Sequence, residues 1–571
     1  MKAPFCRRTS PGSGVLVTFC FCLGLSLPVY AQVEMTAPPD PGQMPAPASQ
    51  ARTYALSGTV VSSVTGEPVP HALVNISAGT GRATLTGIDG RFEFSSLPAI
   101  QVTISAHKPG YFSDQELSQG PPVTPPSIVQ VGPDSSQVVV RLTPQGVISG
   151  RIESGTTPVE HLPVRILALR IAGGHRRWEQ RATTVTDDDG EFRASGLPPG
   201  SYYVEIGPGL EFDDGQPGER TGVQGESRQA NEAEEGYGEL FYPGAPEISA
   251  ASPIELAGGQ QVVANFSVKS LAVVTISGTV MGFPQGQGVS LQLETNSRPD
   301  ISFPTRFDAQ TGRFVIKAAE GQYRLRAVAQ GPGGEVLQAE TAVDATADRA
   351  DLRLLLAPQP SIPVVVSLEP SSLSSGSAGS RPAGRRTNSI GVHLIRQGPS
   401  LRATDYWSES NRGSDPLLIR GVEPGTYVAE FTPAPPWHVL SATCGDVDLL
   451  RDELTVSAGA QTSPIEIVLR DDSASLGGTI SSEGEPVTAA VVLVPQRAPR
   501  QPTVAVGYAG NEFEFGNLAP GDYSVFAVNR LDGLEYADPE VLQPYLTKAT
   551  RVTLEANRKA NVNLEVVEPG N

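Results

Sequence analysis

Cysteine is scarce in this chain, and its placement excludes a disulfide framework. There are four cysteines in 571 residues, and only Cys444 lies beyond residue 31; the others are Cys6, Cys20 and Cys22. If the first 31 residues are removed on export, one thiol remains and no intrachain disulfide can form. Cys444 has no basic neighbour within three residues, so we expect a small buried side chain rather than a reactive thiol.

Long hydrophobic runs are also missing, except near the amino terminus. Basic residues precede an apolar run from Val15 to Val29, which small residues follow. This pattern predicts a signal peptide over residues 1–31, cleaved after Ala31. The run is too short for a comfortable membrane span and no later stretch matches it, so we expect no span after cleavage. The predicted location is periplasmic, outer-membrane-associated or secreted.

Histidine is too sparse and too dispersed to indicate an enzyme. The chain has no His-Glu-x-x-His pair, no Gly-x-Ser-x-Gly elbow and no phosphate-binding Gly-Lys-Ser/Thr loop. The chain therefore lacks the motifs from which the site of a metallopeptidase, a serine hydrolase or a nucleotide-binding protein would be recognised. We therefore predict a non-enzymatic protein with no catalytic residue, cofactor or metal site. The six histidines are His71, His107, His161, His175, His393 and His438.

Positive charge is in short supply relative to negative charge. Sixty-one acidic residues face 42 basic ones, and the formal net charge is −19. A field of that sign excludes nucleic-acid binding through general electrostatics. The run Asp187-Asp188-Asp189 could contribute to a calcium site, but a turn is the more common role for such acids, and we favour the turn.

Tryptophan occurs three times, and two copies lie in one turn-rich segment. Trp407 and Trp437 are candidates for stacking on sugar rings, which would make a polysaccharide a partner. Core packing is the more common fate of tryptophan and is the competing interpretation.

Glycine and proline, by contrast, are abundant, with 60 and 51 copies. Their use is clearest in Thr184–Ile206, TVTDDDGEFRASGLPPGSYYVEI, where alternating segments flank Asp189-Gly190 and a second turn precedes Tyr202. Such alternation predicts a hairpin with Gly190 at positive φ. We expect short strands joined by tight turns.

Imperfect copies of this segment recur five times, which indicates a tandem repeat. In each copy an apolar residue follows the turn, and nine or ten positions later the next strand carries a second large residue, called the key residue here. This spacing places both side chains on the core face. The key residue is a tyrosine in four copies and Val102 in the first, and we expect the tyrosines to tether their hydroxyls to nearby backbone. The pairs are Phe92/Val102, Phe192/Tyr202, Phe314/Tyr323, Leu417/Tyr427 and Phe513/Tyr523.

The predicted fold class is all-β, with tandem antiparallel β-sandwiches of about seven strands. Residues 208–240 are acidic and residues 370–390 are rich in Ser, Gly and Arg, so both are expected to be loops or disordered. The predicted domains are a Pro/Ala-rich linker (32–52) and sandwiches over 53–145, 146–270, 271–358, 359–472 and 473–568.

Residues 57–112 resemble the carboxypeptidase regulatory-like domain, a transthyretin-like, carbohydrate-binding-like sandwich. The resemblance is carried by small-Gly-x-Val at Ser57-Gly58, Gly-x-Pro-Val at Gly66, Asp-x-Gly-x-Phe at Asp89 and the closing Gly110-Tyr111. Segments 147–206 and 476–530 are similar. The whole chain resembles multi-repeat envelope proteins of acidobacterial type.

That resemblance implies a fold rather than a function, because the domain accompanies many activities. We predict an exported, non-enzymatic rod of five sandwiches that acts as a cell-envelope binding or spacer protein, with other envelope proteins as partners. The alternatives are a carbohydrate-binding protein and an accessory subunit of an extracellular hydrolase.

Overall fold

A computed structural model describes residues 52–567 except 78–80, 118–126, 134–136, 213–232, 299–300, 302, 333–334, 360, 372–389, 399–400, 402–404, 410–416, 458–461, 508–510 and 532. The predicted signal peptide, the predicted linker up to residue 51 and nearly all of the loop at 370–390 lie outside the described residues. Contacts divide the chain into residues 1–52 and 53–571, and every described strand lies in the second of these units. The strands fall into five β-sandwiches; the domain limits given above remain predictions.

The first sandwich consists of two four-stranded sheets, ordered β4-β1-β8-β6 and β3-β2-β5-β7. Its apolar residues alternate along each strand and meet between the sheets. Its elements are β1 (Tyr54–Ser62), β2 (Leu73–Ser77), β3 (Arg82–Leu85), β4 (Arg91–Leu97), β5 (Gln101–His107), β6 (Tyr111–Ser113), α1 (Asp114–Leu117), β7 (Ser127–Gln130) and β8 (Val138–Pro144).

The second sandwich repeats this plan with longer hairpins. Its elements are β9 (Gly146–Ser154), β10 (Thr157–Pro158), β11 (Pro163–Ala172), β12 (His175–Val185), β13 (Glu191–Leu197), β14 (Gly200–Ile206), β15 (Gly209–Phe212), β16 (Ala233–Tyr237), β17 (Leu240–Phe241), a 3-10 turn (Ile248–Ala250), β18 (Ile254–Leu256), β19 (Gln261–Val263) and β20 (Phe266–Val268). The prediction of a loop over 208–240 is wrong at both ends, since β15 and β16 pair as a hairpin. Its middle, 213–232, lies outside the described residues.

The third and fourth sandwiches differ in how their sheets connect. In the fourth, one strand pairs with both sheets and joins them into a single nine-stranded sheet. The third comprises β21 (Val273–Met281), β22 (Ser290–Glu294), β23 (Thr305–Phe307), β24 (Arg313–Ala319), β25 (Gly321–Gln330), β26 (Val336–Ala345), β27 (Arg349–Leu355) and β28 (Ala357–Pro358). The fourth comprises β29 (Ser361–Glu369), β30 (Ile390–Arg396), the joining strand β31 (Tyr406–Glu409), β32 (Leu417–Arg420), β33 (Gly425–Pro433), β34 (His438–Cys444), β35 (Val447–Asp448), β36 (Leu454–Val456) and β37 (Ile465–Arg470).

The fifth sandwich carries a helix that the strand pattern did not predict. Asp538 caps its first turn by accepting a hydrogen bond from the Glu540 amide at 2.9 Å, and Pro539 opens it. The helix buries Leu542 and stacks Tyr545 on Phe526. The elements are β38 (Ala474–Ser482), β39 (Glu485–Pro486), β40 (Ala490–Pro495), β41 (Thr503–Val506), β42 (Glu512–Leu518), β43 (Gly521–Val528), α2 (Pro539–Leu546), β44 (Thr550–Leu554) and β45 (Lys559–Glu565).

In every sandwich the first strand pairs in parallel with the last strand of three or more residues. In the third sandwich that strand is β27, and the two-residue β28 after it pairs antiparallel with β26. In the second sandwich β9 pairs in parallel with β19 as well as β20. In four sandwiches a glycine in the first strand makes room for the last. A Cβ there would lie 1.7–2.3 Å from a carbonyl oxygen of the last strand or the residue beside it, so no other residue fits. The glycines are Gly58, Gly150, Gly278 and Gly478.

The repeated turn has the predicted geometry. Gly90 and Gly190 have φ of +72° and +70°. Asp187 accepts hydrogen bonds from the amides of Asp189 and Glu191, which confirms its role in the turn. A buried threonine precedes each turn: the Thr186 hydroxyl donates to Val159 O and accepts from the Leu162 amide, and Thr86 repeats the arrangement.

The predicted tyrosine tethers are confirmed in all four sandwiches that carry the tyrosine. Each hydroxyl donates to the carbonyl oxygen four residues earlier, at 2.6–2.9 Å, and each ring is buried. Burial raises the pKa of Tyr523 to about 12. The spaced partners are buried too, so the predicted core register is confirmed.

Candidate functional site at the junction of the second and fourth sandwiches

The two predicted tryptophans have different environments. Trp407 lies on β31 opposite His393 and is 57% exposed. Its ring stacks on the His393 imidazole, with 3.6 Å between centroids and 6° between planes. Trp437 lies just before β34 and is half-buried against the core of the fourth sandwich. Trp407 alone therefore combines substantial exposure with a fixed orientation.

The imidazole beneath Trp407 lies between two carboxylates. His393 is 7% exposed. Its Nε2 lies 3.2 Å from Asp405 Oδ2, and its Nδ1 lies 3.6 Å from Glu430 Oε2. Because the ring edges face the acids, the flat face is left for the indole.

The second sandwich contributes basic residues to this cluster. The tip of the β11–β12 hairpin places His175 Nε2 3.0 Å from Glu430 Oε1, and Arg177 pairs with Asp405. The two strands are ten and eleven residues long, which carries the tip beyond its own core. Glu430 thus lies between two histidines that are 218 positions apart in the chain, although the sequence shows only dispersed histidines.

These contacts shift the titration of the cluster. Burial alone lowers the pKa of His393, but the side-chain contacts and charges of Asp405 and Glu430 outweigh it and raise the pKa above its ordinary value. Burial favours the neutral form of Glu430, yet His175 and His393 lower its pKa to about 2. The pKa of Asp405 is lowered by His393 and Arg177 against its own burial. The cluster therefore favours charged histidine and ionised carboxylates.

The same hairpin tip also contacts the fifth sandwich. Arg176 pairs with Glu535, and the Ala537 amide donates to Gly174 O at 3.3 Å. Gly174 has φ of +82°, and a Cβ there would lie 2.6 Å from a Tyr536 ring carbon. The predicted rod of five sandwiches does not account for these contacts, because the second sandwich meets the fourth and the fifth, which are not its neighbours in the chain.

A buried ion cluster joins the second and third sandwiches. Glu205 is fully buried on the outer face of β14, where Arg165 Nε donates to its Oε1 at 3.0 Å. Arg298 of the third sandwich lies 3.3 Å from the same oxygen, and Arg165 also donates to Ser297 O at 3.1 Å. Burial and the charge of Glu205 raise the pKa of the neighbouring Glu239 to about 7.

The remaining candidate residues have structural partners. Cys444 is buried and donates to Ser463 O at 3.2 Å, and burial raises its pKa, as expected for an unreactive thiol. Among the residues that the structure describes, no group of three or more His, Cys, Asp or Glu side chains has the geometry to hold a metal ion. Within the same residues, no helix has the length and apolar character needed to cross a membrane.

Sequence reasoning missed the inter-sandwich contacts. Gly173-Gly174 followed by His175-Arg176-Arg177 does indicate a basic hairpin tip, but such a tip reads as a solvated turn. Its partners lie 228 to 359 positions away, in segments with no matching motif. No local signal links them.

Known structures resemble the chain only loosely. The Bacillus anthracis TIE protein is 12% identical with a TM-score of 0.17; the match covers 54% of this chain and about half, 51%, of that protein. A minor pilin of Streptococcus agalactiae is 13% identical with a TM-score of 0.19, covering 38% of this chain and 97% of the pilin. The major pilin subunit of Bacillus cereus is 10% identical with a TM-score of 0.12, covering 74% and 99%.

No curated protein sequence matches the chain. A family model does match one part of it. Residues 55–142, which cover nearly all of the first sandwich, match the carboxypeptidase regulatory-like domain.

Proposed function

We propose that the protein is an exported, non-enzymatic spacer or binding protein of the cell envelope, of the multi-repeat acidobacterial type. The observation that carries this proposal is the parallel pairing, in every sandwich, of the first strand with the last strand of three or more residues. Tension along the chain pulls these two strands in opposite directions along their length, so their hydrogen bonds are loaded together in shear. A spacer benefits from this geometry because the hydrogen bonds between the two strands share the load and must break together, not one at a time.

Single-molecule pulling of the full chain tests the mechanical part. We expect a rupture event for each sandwich, releasing roughly 300 to 400 Å for about 100 residues of extended chain. Gly278→Val, which would put a side chain within 2.2 Å of Leu352 O, should weaken one event and leave the other four unchanged. Glycine at 288, where a Cβ meets no atom within 4 Å, provides the control Gly288→Val. Weak ruptures throughout the unmodified chain would contradict the spacer proposal.

Export is tested separately. The full chain, expressed in a Gram-negative host, should be recovered outside the cytoplasm with Gln32 as its first residue, because the predicted cleavage follows Ala31. Recovery of an uncleaved chain from the cytoplasm would contradict export without affecting the mechanical result.

A second candidate function, carbohydrate binding, is favoured by the environment of Trp407. Its indole is exposed, and the stack on His393 holds the ring in one orientation, so one face can be presented to a sugar ring without further ordering. Trp437, half-buried, is the weaker half of the predicted pair.

Iodide quenching distinguishes the two functions. Iodide should quench Trp407 in the free protein, and a soluble glucan or cell-wall glycan should protect it if the indole binds sugar. Trp407→Phe should abolish the protected fraction, while Trp437→Phe should leave it intact. Quenching that no glycan in a panel alters would reject the carbohydrate function and leave the spacer function standing.

A further inference from the structure

The cluster under Trp407 spans two sandwiches, and this placement makes its protonation part of the inter-sandwich contact. His393, Asp405 and Glu430 belong to the fourth sandwich, while His175 and Arg177 come from the β11–β12 tip of the second. Glu430 bridges the two sides, since one oxygen faces His175 and the other faces His393.

We propose that this cluster is a pH-dependent clasp, in which the basic β11–β12 tip and the proton on His393 compete for the same carboxylates, so that protonation of His393 weakens docking of the tip and docking disfavours protonation of His393. The two effects are reciprocal because they are one linkage seen from either side. The proposal goes beyond a spacer or sugar-binding function, since it concerns how two non-consecutive sandwiches are held.

The charged groups around His393 come from every element packed at the junction. Carboxylates face both of its nitrogens, and the basic tip faces the carboxylates from the other side. Glu430 also raises the pKa of Tyr536, after the effect of burial, so the fifth sandwich borders the same cluster. The groups are His175, Arg176 and Arg177 on the hairpin, Asp405, Glu430 and His393 on the fourth sandwich, and Glu535 and Tyr536 on the fifth.

The sign of the dependence follows from these directions. The pKa of His393 is raised, so its contribution to the stability of the fourth sandwich is fully present below 6.5, the ordinary value, and is lost as the pH rises through the raised value. The pKa of Glu430 is lowered, so its contribution is present above 4.5 and is lost as the pH falls towards about 2. Docking of the tip depends on His393 in the opposite sense: it is opposed while His393 holds its proton and strengthens as the pH rises through the raised value, because the neutral imidazole leaves the Asp405 carboxylate to Arg177.

Trp407 provides a direct readout, because a charged imidazole stacked on indole quenches its fluorescence and a neutral one quenches far less. The full chain carrying Trp178→Phe and Trp437→Phe keeps Trp407 as its one tryptophan. Its emission, measured in buffers with a chelator, should rise with pH through one transition. H393Q should abolish the transition, and E430Q should lower its midpoint by about 1 pH unit. The control H161Q, at an exposed histidine of the second sandwich, should leave it unchanged.

Docking itself is tested by Arg177, which belongs to the other sandwich. R177Q removes the positive charge that competes with His393 for Asp405, so the midpoint should rise. A midpoint that fails to rise overturns the docked clasp, and a transition that survives H393Q overturns the assignment to His393. The chain with both Trp178→Phe and Trp437→Phe is first checked for the β-sheet circular dichroism signal of the folded protein. If it lacks that signal, the same midpoints are obtained by subtracting the emission of W407F from the emission of the unmodified chain.

Discussion

The first and second sandwiches share one core plan and differ on one outer face. Their buried threonines, turn glycines and core phenylalanines coincide in register. On the outer face, the first pairs Asn75 with Ser105, whereas the second pairs Arg165 with Glu205 at the equivalent strand positions. Ser105 is exposed and Glu205 is fully buried, because the third sandwich covers the second at this point.

The comparison shows that core and contacts are encoded separately. Alternation and turn residues specify each core within one sandwich, so the second can acquire a charged outer face without altering its interior. Its long β11–β12 hairpin then reaches two further sandwiches. The second sandwich therefore contacts the third, the fourth and the fifth, and we call it the hub. The first sandwich has the same core but neither the charged outer face nor the long hairpin.

The largest expected effect separates the two outer faces. Glu205→Gln leaves Arg165 and Arg298 buried without their carboxylate, at a cost of about 3 to 5 kcal/mol. Ser105→Ala, at the equivalent exposed position of the first sandwich, should change stability by about 0.5 kcal/mol or less. Native-state hydrogen exchange of β14 and β5 measures both. Equal losses of protection would remove the distinction between the two faces.

A shared feature of the two cores gives the next effect. Gly190→Val forces a β-branched residue to positive φ and places its Cβ 2.6 Å from Ile152 O, for a cost of about 1 to 3 kcal/mol. Gly155→Val, at φ +65° with no atom near its Cβ, carries the strain without the clash and should cost less. Urea unfolding followed by Trp178 fluorescence, with Trp407→Phe and Trp437→Phe in both variants and their parent, compares them. A larger loss for Gly155 would mean that the turn is not packed as described.

The junction of the second and third sandwiches should respond to pH through Glu239. Its raised pKa, about 7, means that folding favours the protonated acid. That contribution is fully present below the ordinary value of 4.5 and is lost as the pH rises through 7. The urea midpoint of the unmodified chain should therefore fall from pH 6 to pH 8 by more than that of Glu239→Gln. Parallel midpoints across this range would show that Glu239 does not titrate there.

The smallest effect concerns the tyrosine that the first sandwich lacks. Tyr202→Phe removes the hydrogen bond to Pro198 O and should cost about 0.5 to 1.5 kcal/mol. The neighbouring Tyr203→Phe, on the outer face against Trp178, is the control and should cost less. Equal losses in urea unfolding would indicate that the hydroxyl tether contributes nothing.

Sequence reasoning predicted what depends on neighbouring residues. The strands, the turn at Gly190 and the tether of Tyr202 follow from alternation, positive φ and fixed spacing, and the structure confirms them. The helix α2 was missed, although Asp538-Pro539 is a local start signal. The cluster around His393 could not be predicted, because its members come from separate sandwiches and each reads alone as a surface charge or a core residue.

The central claim, that the second sandwich contacts the fifth, is tested most directly by zero-length crosslinking. In Arg176→Lys, carbodiimide should join the new amine to Glu535, its partner in the structure. The native pair Lys559 and Glu514, 2.7 Å apart and exposed, is the internal positive control. We predict that mass spectrometry of the monomer finds both crosslinks. Finding the Lys559–Glu514 crosslink alone would contradict the hub.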